Sequence, residues 1–321
     1  MYTFTEKIDA LKDALTQGLL PLIGKRKCAY MDLPYHVNIG DTLIWEGTEH
    51  FLRSNHIACV WRNGIQTYYR RSLSRNTLIL IHGGGSFGDL WWEHQLRPRI
   101  IQDYPDNPII VLPQTVYYAD KDKMLSDAAM MARHPDLTLC ARDQASYRLL
   151  TTYFSANRIV LLPDMAFYIP PETLMRYVAA SPSPCPTLLL KRTDKELADF
   201  DLTSLPIDPN TTDVRDWPTL EGEPRCMNRF KRLNHKCRQA GTCAYPIADW
   251  YARRVLRRYL VQTGVRFLSS YQEIYTTRLH AAILSTLLHK PFTLLNNSYG
   301  KNAGFYETWL SDLKGSRLLM E

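Results

Sequence analysis

Arginine and histidine at the start of a helix are misplaced unless something negative sits beside them. In Tyr275-Thr276-Thr277-Arg278-Leu279-His280 a strand-like run passes into a helix-like one, with Thr277 as the expected N-cap and Arg278 and His280 in the first turn. Cations there face unsatisfied N–H groups and the positive end of the helix dipole, so the pair predicts an anion site. Without that argument, a lone histidine at a helix start reads as structural. Three other segments suit the same work. Ala141-Arg142-Asp143 offers a guanidinium that can grip a carboxylate or phosphate through two parallel hydrogen bonds, or form an ordinary ion pair with Asp143. Gly83-Gly84-Gly85-Ser86-Phe87-Gly88-Asp89 lets the backbone approach a ligand closely, although it is neither a P-loop nor a dinucleotide fingerprint, and a tight strand–helix turn is an equally good reading. Asn38-Ile39-Gly40-Asp41 opens a helix whose free N–H groups are available, and capping is the plainer role of Asp41.

These segments need elements to aim them. Strands are expected at 27–31, 57–61, 77–82, 108–112, 137–141 and 158–162, and helices at 41–53, 91–102, 121–133 and 144–154. Such alternation implies a mostly parallel sheet with helical crossovers. The proline-rich Ser181-Pro-Ser-Pro-Cys-Pro186 reads as a linker, after which strands at 187–191, 273–276 and 292–295 and helices at 247–261 and 278–288 build a second sheet. Residues 194–225 read as loop with short elements. The expected division is 1–178 and 179–321, with a last helix near 305–313 crossing back onto the first domain. Two α/β domains on a hinge enclose a cleft, and ligands in such folds bind at the carboxyl ends of the strands.

Composition fits a globular protein: 45% hydrophobic and 22% charged residues over 321 positions. The first residues lack a basic stretch followed by an apolar run, and no stretch reaches the ~18 apolar residues of a membrane span. A cytoplasmic location is therefore expected. Seven scattered cysteines agree with buried thiols, and Cys226, His235, Cys237 and Cys243 lack the paired spacing of a zinc site, so no metal is expected. The net charge of +7 favours anionic partners. No nucleic-acid motif is present. The basic run 225–238 reads first as a solvated face and second as a contact with the anionic inner face of a membrane or a lipid-diphosphate acceptor. Trp45, Trp91 and Trp92 could stack on sugar rings, though packing is their commoner role.

The ordered set Gly83–Trp91, Leu112-Pro-Gln-Thr-Val116, Ala141-Arg142, Pro163-Asp164-Met-Ala-Phe167, Thr277-Arg278-Leu279-His280 and Asn297–Asn302 resembles the polysaccharide pyruvyl transferase family, over about 38–309. The resemblance implies two Rossmann-like domains facing a cleft in a GT-B-like arrangement, phosphoenolpyruvate as the donor substrate with no other cofactor, and a hexose of an exopolysaccharide or capsule repeat as acceptor, free or lipid-linked. The family's Arg-Leu-His motif, associated with donor phosphate, falls on Arg278, Leu279 and His280. Where the family often has an acidic residue, this chain has Thr277. Arg142, Arg192 and Lys301 complete the expected donor site. Asn38, Gly84, Gly85, Asp89 and Gln114 are expected on the acceptor side. His280 is expected as general acid, and Asp164 or Asp41 as base. The rival readings are a nucleotide-sugar glycosyltransferase on the same architecture and a non-catalytic partner in polysaccharide assembly.

Overall fold

The computed structural model describes residues 1–91, 95–194, 205–297 and 300–320. Seven strands, β1 (Cys28–Met31), β2 (Cys59–Arg62), β3 (Leu78–Ile81), β4 (Gly84–Gly88), β5 (Ile109–Tyr117), β6 (Leu137–Ala141) and β7 (Arg158–Leu161), form one sheet. Five more, β8 (Thr187–Leu190), β9 (Thr212–Arg215), β10 (Glu273–Thr276), β11 (Phe292–Leu295) and β12 (Ser316–Leu319), form the other. All pairings are parallel. The first sheet runs β2-β1-β3-β5-β6-β7, with β4 beside the far end of β5; the second runs β9-β8-β10-β11-β12. Each therefore reverses direction next to its own first strand, between β1 and β3 and between β8 and β10. At such switch points the crossovers diverge and leave a crevice at the carboxyl ends of the strands.

The helices are α1 (Phe4–Ile23), α2 (Ile39–Ser54), α3 (Leu96–Asp103), α4 (Lys121–Met131), α5 (Gln144–Tyr153), α6 (Pro171–Met175), α7 (Pro218–Glu221), α8 (Arg225–Ala240), α9 (Tyr245–Tyr251), α10 (Arg257–Ser269), α11 (Leu279–Leu287) and α12 (Lys301–Trp309). None among the described residues is long and apolar enough to cross a membrane. Strand alternation divides the apolar residues between cores. Leu78 and Leu80 of β3 join Leu188 and Leu190 of β8 in one large core together with α1, α2, α10 and α11. Ile79 and Ile81 face a second core under α3–α5, and Leu189 faces a small third one.

Several elements depart from the expectations. Helix α1 was not anticipated: Thr3 and Glu6 cap it reciprocally, and Ile8, Leu11, Leu15, Leu19 and Ile23 form its buried stripe, with Pro21 in the last turn. The glycine segment is a strand rather than a loop, because β5 runs on past Pro113 to Tyr117 and pairs Gly84 with Gln114 and Gly88 with Tyr117. A register shift between Val111 and Gln114 accommodates the missing proline N–H. The expected helix 247–261 is α9 and α10 joined through a π-helical turn at 252–256. Helix α3 begins at Leu96, and the part of the expected helix over 92–94 lies outside the described residues.

Tight contacts join the halves. Arg257 of α10 sits 3.1 Å from Glu46 and 3.5 Å from Glu49 of α2. A Cβ on Gly264 of α10 would lie 2.6 Å from Ile39 Cγ2. On α12, Trp309 Nε1 donates to the Arg142 carbonyl at 2.7 Å. Asp249 of α9 accepts from Tyr35 Oη at 2.9 Å and Thr67 Oγ1 at 2.6 Å. Burial pushes its carboxyl up to about 6 from the ordinary 3.8, against the pull of those two donors and Arg253.

The unfolded chain releases the Asp249 proton first, so this group removes stability as pH rises from about 4 to about 6, by at most about 3 kcal/mol. Asp249→Asn, which keeps an acceptor for both hydroxyls, is expected to melt higher than the wild type at pH 7 and level with it near pH 4. Calorimetry at the two pH values checks this, and an equal difference at both contradicts it.

Candidate active site

A cleft of about 430 Å³ opens between the two switch points. Its walls come from the residues that follow β1, β3, β6, β8 and β10 and from the starts of α2, α11 and α12. The four segments singled out in the sequence thus converge, although they lie far apart along the chain.

Arg142 is the buried anchor. It is fully inaccessible; its Nε donates to Thr115 Oγ1 at 2.9 Å and its Nη1 to Asp164 Oδ2 at 2.7 Å. Its Nη2 has no hydrogen-bond partner among the described residues. That edge approaches Gly85, where a Cβ would stand 3.2 Å from Nη2 and 2.6 Å from Lys301 Nζ. Gly85 keeps this space open. Burial alone would raise the Asp164 carboxyl; the nearness of His280, the Arg142 charge and the Ala166 N–H outweigh it and hold it well below the usual carboxylate range. His280 Nε2 lies 3.4 Å from Asp164 Oδ2, an ion-pair distance without good hydrogen-bond alignment.

The second sheet contributes two more guanidiniums. Arg278 presents Nε and Nη2 to Asp216 at 2.6 and 2.5 Å, a bidentate grip that fixes its plane. Its Nη1 lies 3.2 Å from Asp194, which also receives Arg192 Nε at 2.7 Å. One carboxylate therefore bridges two arginines at the cleft wall. Asn302 ties Lys301 down by donating to the carbonyls of Thr277 and Leu295 at 2.9 and 2.8 Å.

Across the cleft, Asn38 caps α2 through Gly40 N at 2.9 Å and donates to Asp41 Oδ2 at 2.8 Å. His36 Nε2 is 3.7 Å from the same oxygen. A Cβ on Gly40 would fall 2.6 Å from His280 Nδ1, so only glycine lets α2 meet α11 here. His82 follows β3. Burial pushes its imidazole down to about 3, leaving it neutral at physiological pH. Burial likewise keeps the Tyr30 hydroxyl protonated, and that hydroxyl lies 2.7 Å from His82 Nδ1. Either ring or hydroxyl can supply the proton between them; His82 lines the cleft, and its Nε2 is buried with no hydrogen-bond partner among the described residues.

A model of the family described as polysaccharide pyruvyl transferase matches residues 38–299. The chain belongs to that family. It is 36% identical over 315 residues to EpsO of Bacillus subtilis (strain 168), provisionally named a pyruvyl transferase, covering 97% of this chain and 94% of that protein. It is 29% identical over 305 residues to Pyruvyl transferase 1 of Schizosaccharomyces pombe, covering 89% and 70%. A crystal structure from Klebsiella pneumoniae, of a protein described as functionally uncharacterized, superposes with a TM-score of 0.62 at 18% identity, covering 97% and 98%, and so shares the fold.

In this pyruvyl transferase family member Arg278, Leu279, His280, Arg142, Arg192, Lys301, Asn38, Asp41 and Gly85 all border the cleft. Four expected site residues, Asp164, Asp89, Gln114 and Gly84, do not border the cleft. Asp164 is fully buried behind Arg142 and is not exposed to the cleft, so its position suits orienting Arg142 and His280 rather than taking a substrate proton. Asp89 accepts from Ala119 N and Asp120 N at 2.9 and 2.6 Å, holding the β5–α4 turn instead of a ligand. Gln114 is wholly buried and donates to the His82 carbonyl at 2.6 Å. Gly84 sits at positive φ just behind the wall, a Cβ there lying 3.6 Å from Asp41 Oδ1. The cap of α11 is Arg278, not Thr277, whose hydroxyl accepts from Arg192 N at 2.9 Å. Trp91 lines the cleft, Trp45 is core, and Trp92, Ser298 and Tyr299 lie outside the described residues. Sequence reasoning missed Asp194, Asp216 and His82. The only local signal was His82 at the end of a clear strand.

Asp164→Asn leaves a buried guanidinium without its counter-charge and is expected to lower the unfolding free energy by about 3 kcal/mol. Asp41→Asn, at a partly exposed acceptor, is expected to cost less than about 0.5 kcal/mol. Urea unfolding of both variants checks the contrast, and equal costs refute the anchoring role.

Proposed function

We propose that the chain transfers the pyruvyl group of phosphoenolpyruvate to a hexose of an exopolysaccharide or capsule repeat unit as a ketal and releases phosphate. We read the two facing sheets as a GT-B-like pair, with the acceptor on the first and the donor on the second. The observation that carries the reading is the buried, unpartnered Nη2 of Arg142 beside Lys301, opposite the Arg192–Asp194–Arg278 cluster. Phosphoenolpyruvate has two anionic ends, and this cleft has two cationic poles.

In this reading the donor phosphate displaces the Asp194 carboxylate from Arg192 and Arg278, while Asp216 keeps the Arg278 plane fixed. The donor carboxylate meets Arg142 Nη2 and Lys301. His280 delivers a proton to the methylene carbon, which becomes the methyl group, as the first sugar hydroxyl bonds to C2 and gives its proton to Asp41. The second hydroxyl then bonds to C2 as the C2–O bond to phosphate breaks. The proton of the second hydroxyl leaves with phosphate, and the proton taken by Asp41 returns to His280, so both groups are restored and the net result is one hydroxyl proton on carbon and one on phosphate. Fixed guanidiniums favour the charge that builds on the leaving phosphate because they need no reorganisation at that moment. The neutral His82, through its unpartnered Nε2, orients a polar group of the bound substrates.

Phosphate release from phosphoenolpyruvate with a panel of free and lipid-linked hexosides tests the assignment. Acceptor-dependent release is expected, falling about a hundredfold or more in Arg278→Ala and His280→Asn, with Asp89→Asn close to wild type. Near-normal turnover in His280→Asn rejects its role as acid. Absence of phosphoenolpyruvate binding by calorimetry rejects the donor.

A further inference from the structure

Helices α8 and α9–α10 carry a surface that the cleft chemistry does not use. Residues 225–272 contain eleven arginines and lysines and one acidic residue, Asp249, so the segment is more positive than the whole chain at +7. Asp249 is turned inward onto Tyr35 and Thr67. Glu223, at the foot of α8, pairs with Lys231. Helix α8 buries Met227, Phe230 and Cys237 and points Arg225, Arg229, Arg232 and Lys236 outward at i, i+4, i+7 and i+11, a single stripe.

The neighbouring helix adds apolar groups to that charge. Ile247 is 55% exposed and Trp250 53%, with Arg254 and Arg258 exposed further along. The two helices pack together: Phe230 stacks on Tyr251 at 6.4 Å, and Tyr251 Oη donates to the Cys226 carbonyl at 3.2 Å. The pair adjoins the cleft. Tyr35, which lines it, packs edge-on against Phe230 at 5.5 Å, and the exposed Leu220 of α7, just before α8, lines it too.

We propose that this face docks on an anionic lipid bilayer, with the α8 stripe over the headgroups and Ile247 and Trp250 at the headgroup–acyl boundary, bringing the cleft mouth beside the membrane. Charge alone suits any polyanion. Exposed isoleucine and tryptophan next to that charge need an apolar phase, which a bilayer supplies and a nucleic acid does not. The inference is independent of the donor's identity.

The test is co-sedimentation of the full chain with phosphatidylcholine vesicles and with phosphatidylcholine–phosphatidylglycerol vesicles, at low and raised salt, beside a gel-shift assay with duplex DNA. Binding confined to the anionic vesicles and weakened by salt is expected. Replacing Arg225, Arg229, Arg232 and Lys236 together by glutamine is expected to lower the partition coefficient by on the order of a hundredfold. Trp250→Ala is expected to lower it roughly tenfold, and carries the test alone if the fourfold variant does not fold. No binding to anionic vesicles, equal binding to neutral ones, undiminished binding by folded variants, or DNA binding without vesicle binding each overturns the proposal.

Discussion

A guanidinium buried with one edge left open is the constraint on which this structure turns. Arg142 and Asp164 are both wholly inaccessible, and each would be very costly to bury without the other. Their pairing satisfies Nη1, Thr115 satisfies Nε, and Nη2 is left aimed at Gly85 and Lys301. The same aspartate lies 3.4 Å from His280 of the other half. One carboxylate thus sits against a cation from the first sheet and an imidazole from the second, while Asp216 and Asp194 fix the guanidiniums of Arg278 and Arg192 on the facing wall.

The geometry holds because the halves meet closely where the chemistry would occur. Gly40 admits His280, Gly264 admits Ile39, and Arg257 reaches across to Glu46 and Glu49. Both sheets share one strand order relative to their first strand, so both open their crevices at the same kind of place. Helix α12 reaches across to the first half through Trp309 and holds Lys301 through Asn302 before the chain returns to the second sheet as β12.

What could be read from the sequence was what short-range patterning encodes. The buried run at β3, the alternation of strands and helices, and an arginine and histidine at a strand–helix junction are local signals, and each located a real part of the cleft. Asp216 could not be found that way. Its bidentate partner Arg278 is 62 residues distant, and nothing near Asp216 distinguishes it from a surface acid. Asp164 was noticed as a candidate base, but its burial behind Arg142 is a tertiary fact that the sequence does not carry. The glycine segment read as a binding loop or a turn because its pairing is long-range: β5 continues past Pro113 through a register shift and recruits β4. The stripe of α1, Ile8, Leu11, Leu15, Leu19 and Ile23, is periodic in the sequence and went unread, with Pro21 in its last turn.

In the proposed reaction one anion with two charged ends spans the cleft from Arg142 to Arg278. A crystal structure of the chain with phosphoenolpyruvate tests it most directly. The carboxylate is expected within hydrogen-bond distance of Arg142 Nη2, the phosphate between Arg192 and Arg278 with Asp194 withdrawn, and the Arg142–Asp164 pair intact. Phosphoenolpyruvate bound elsewhere, or bound here with Arg142 turned away, would contradict it.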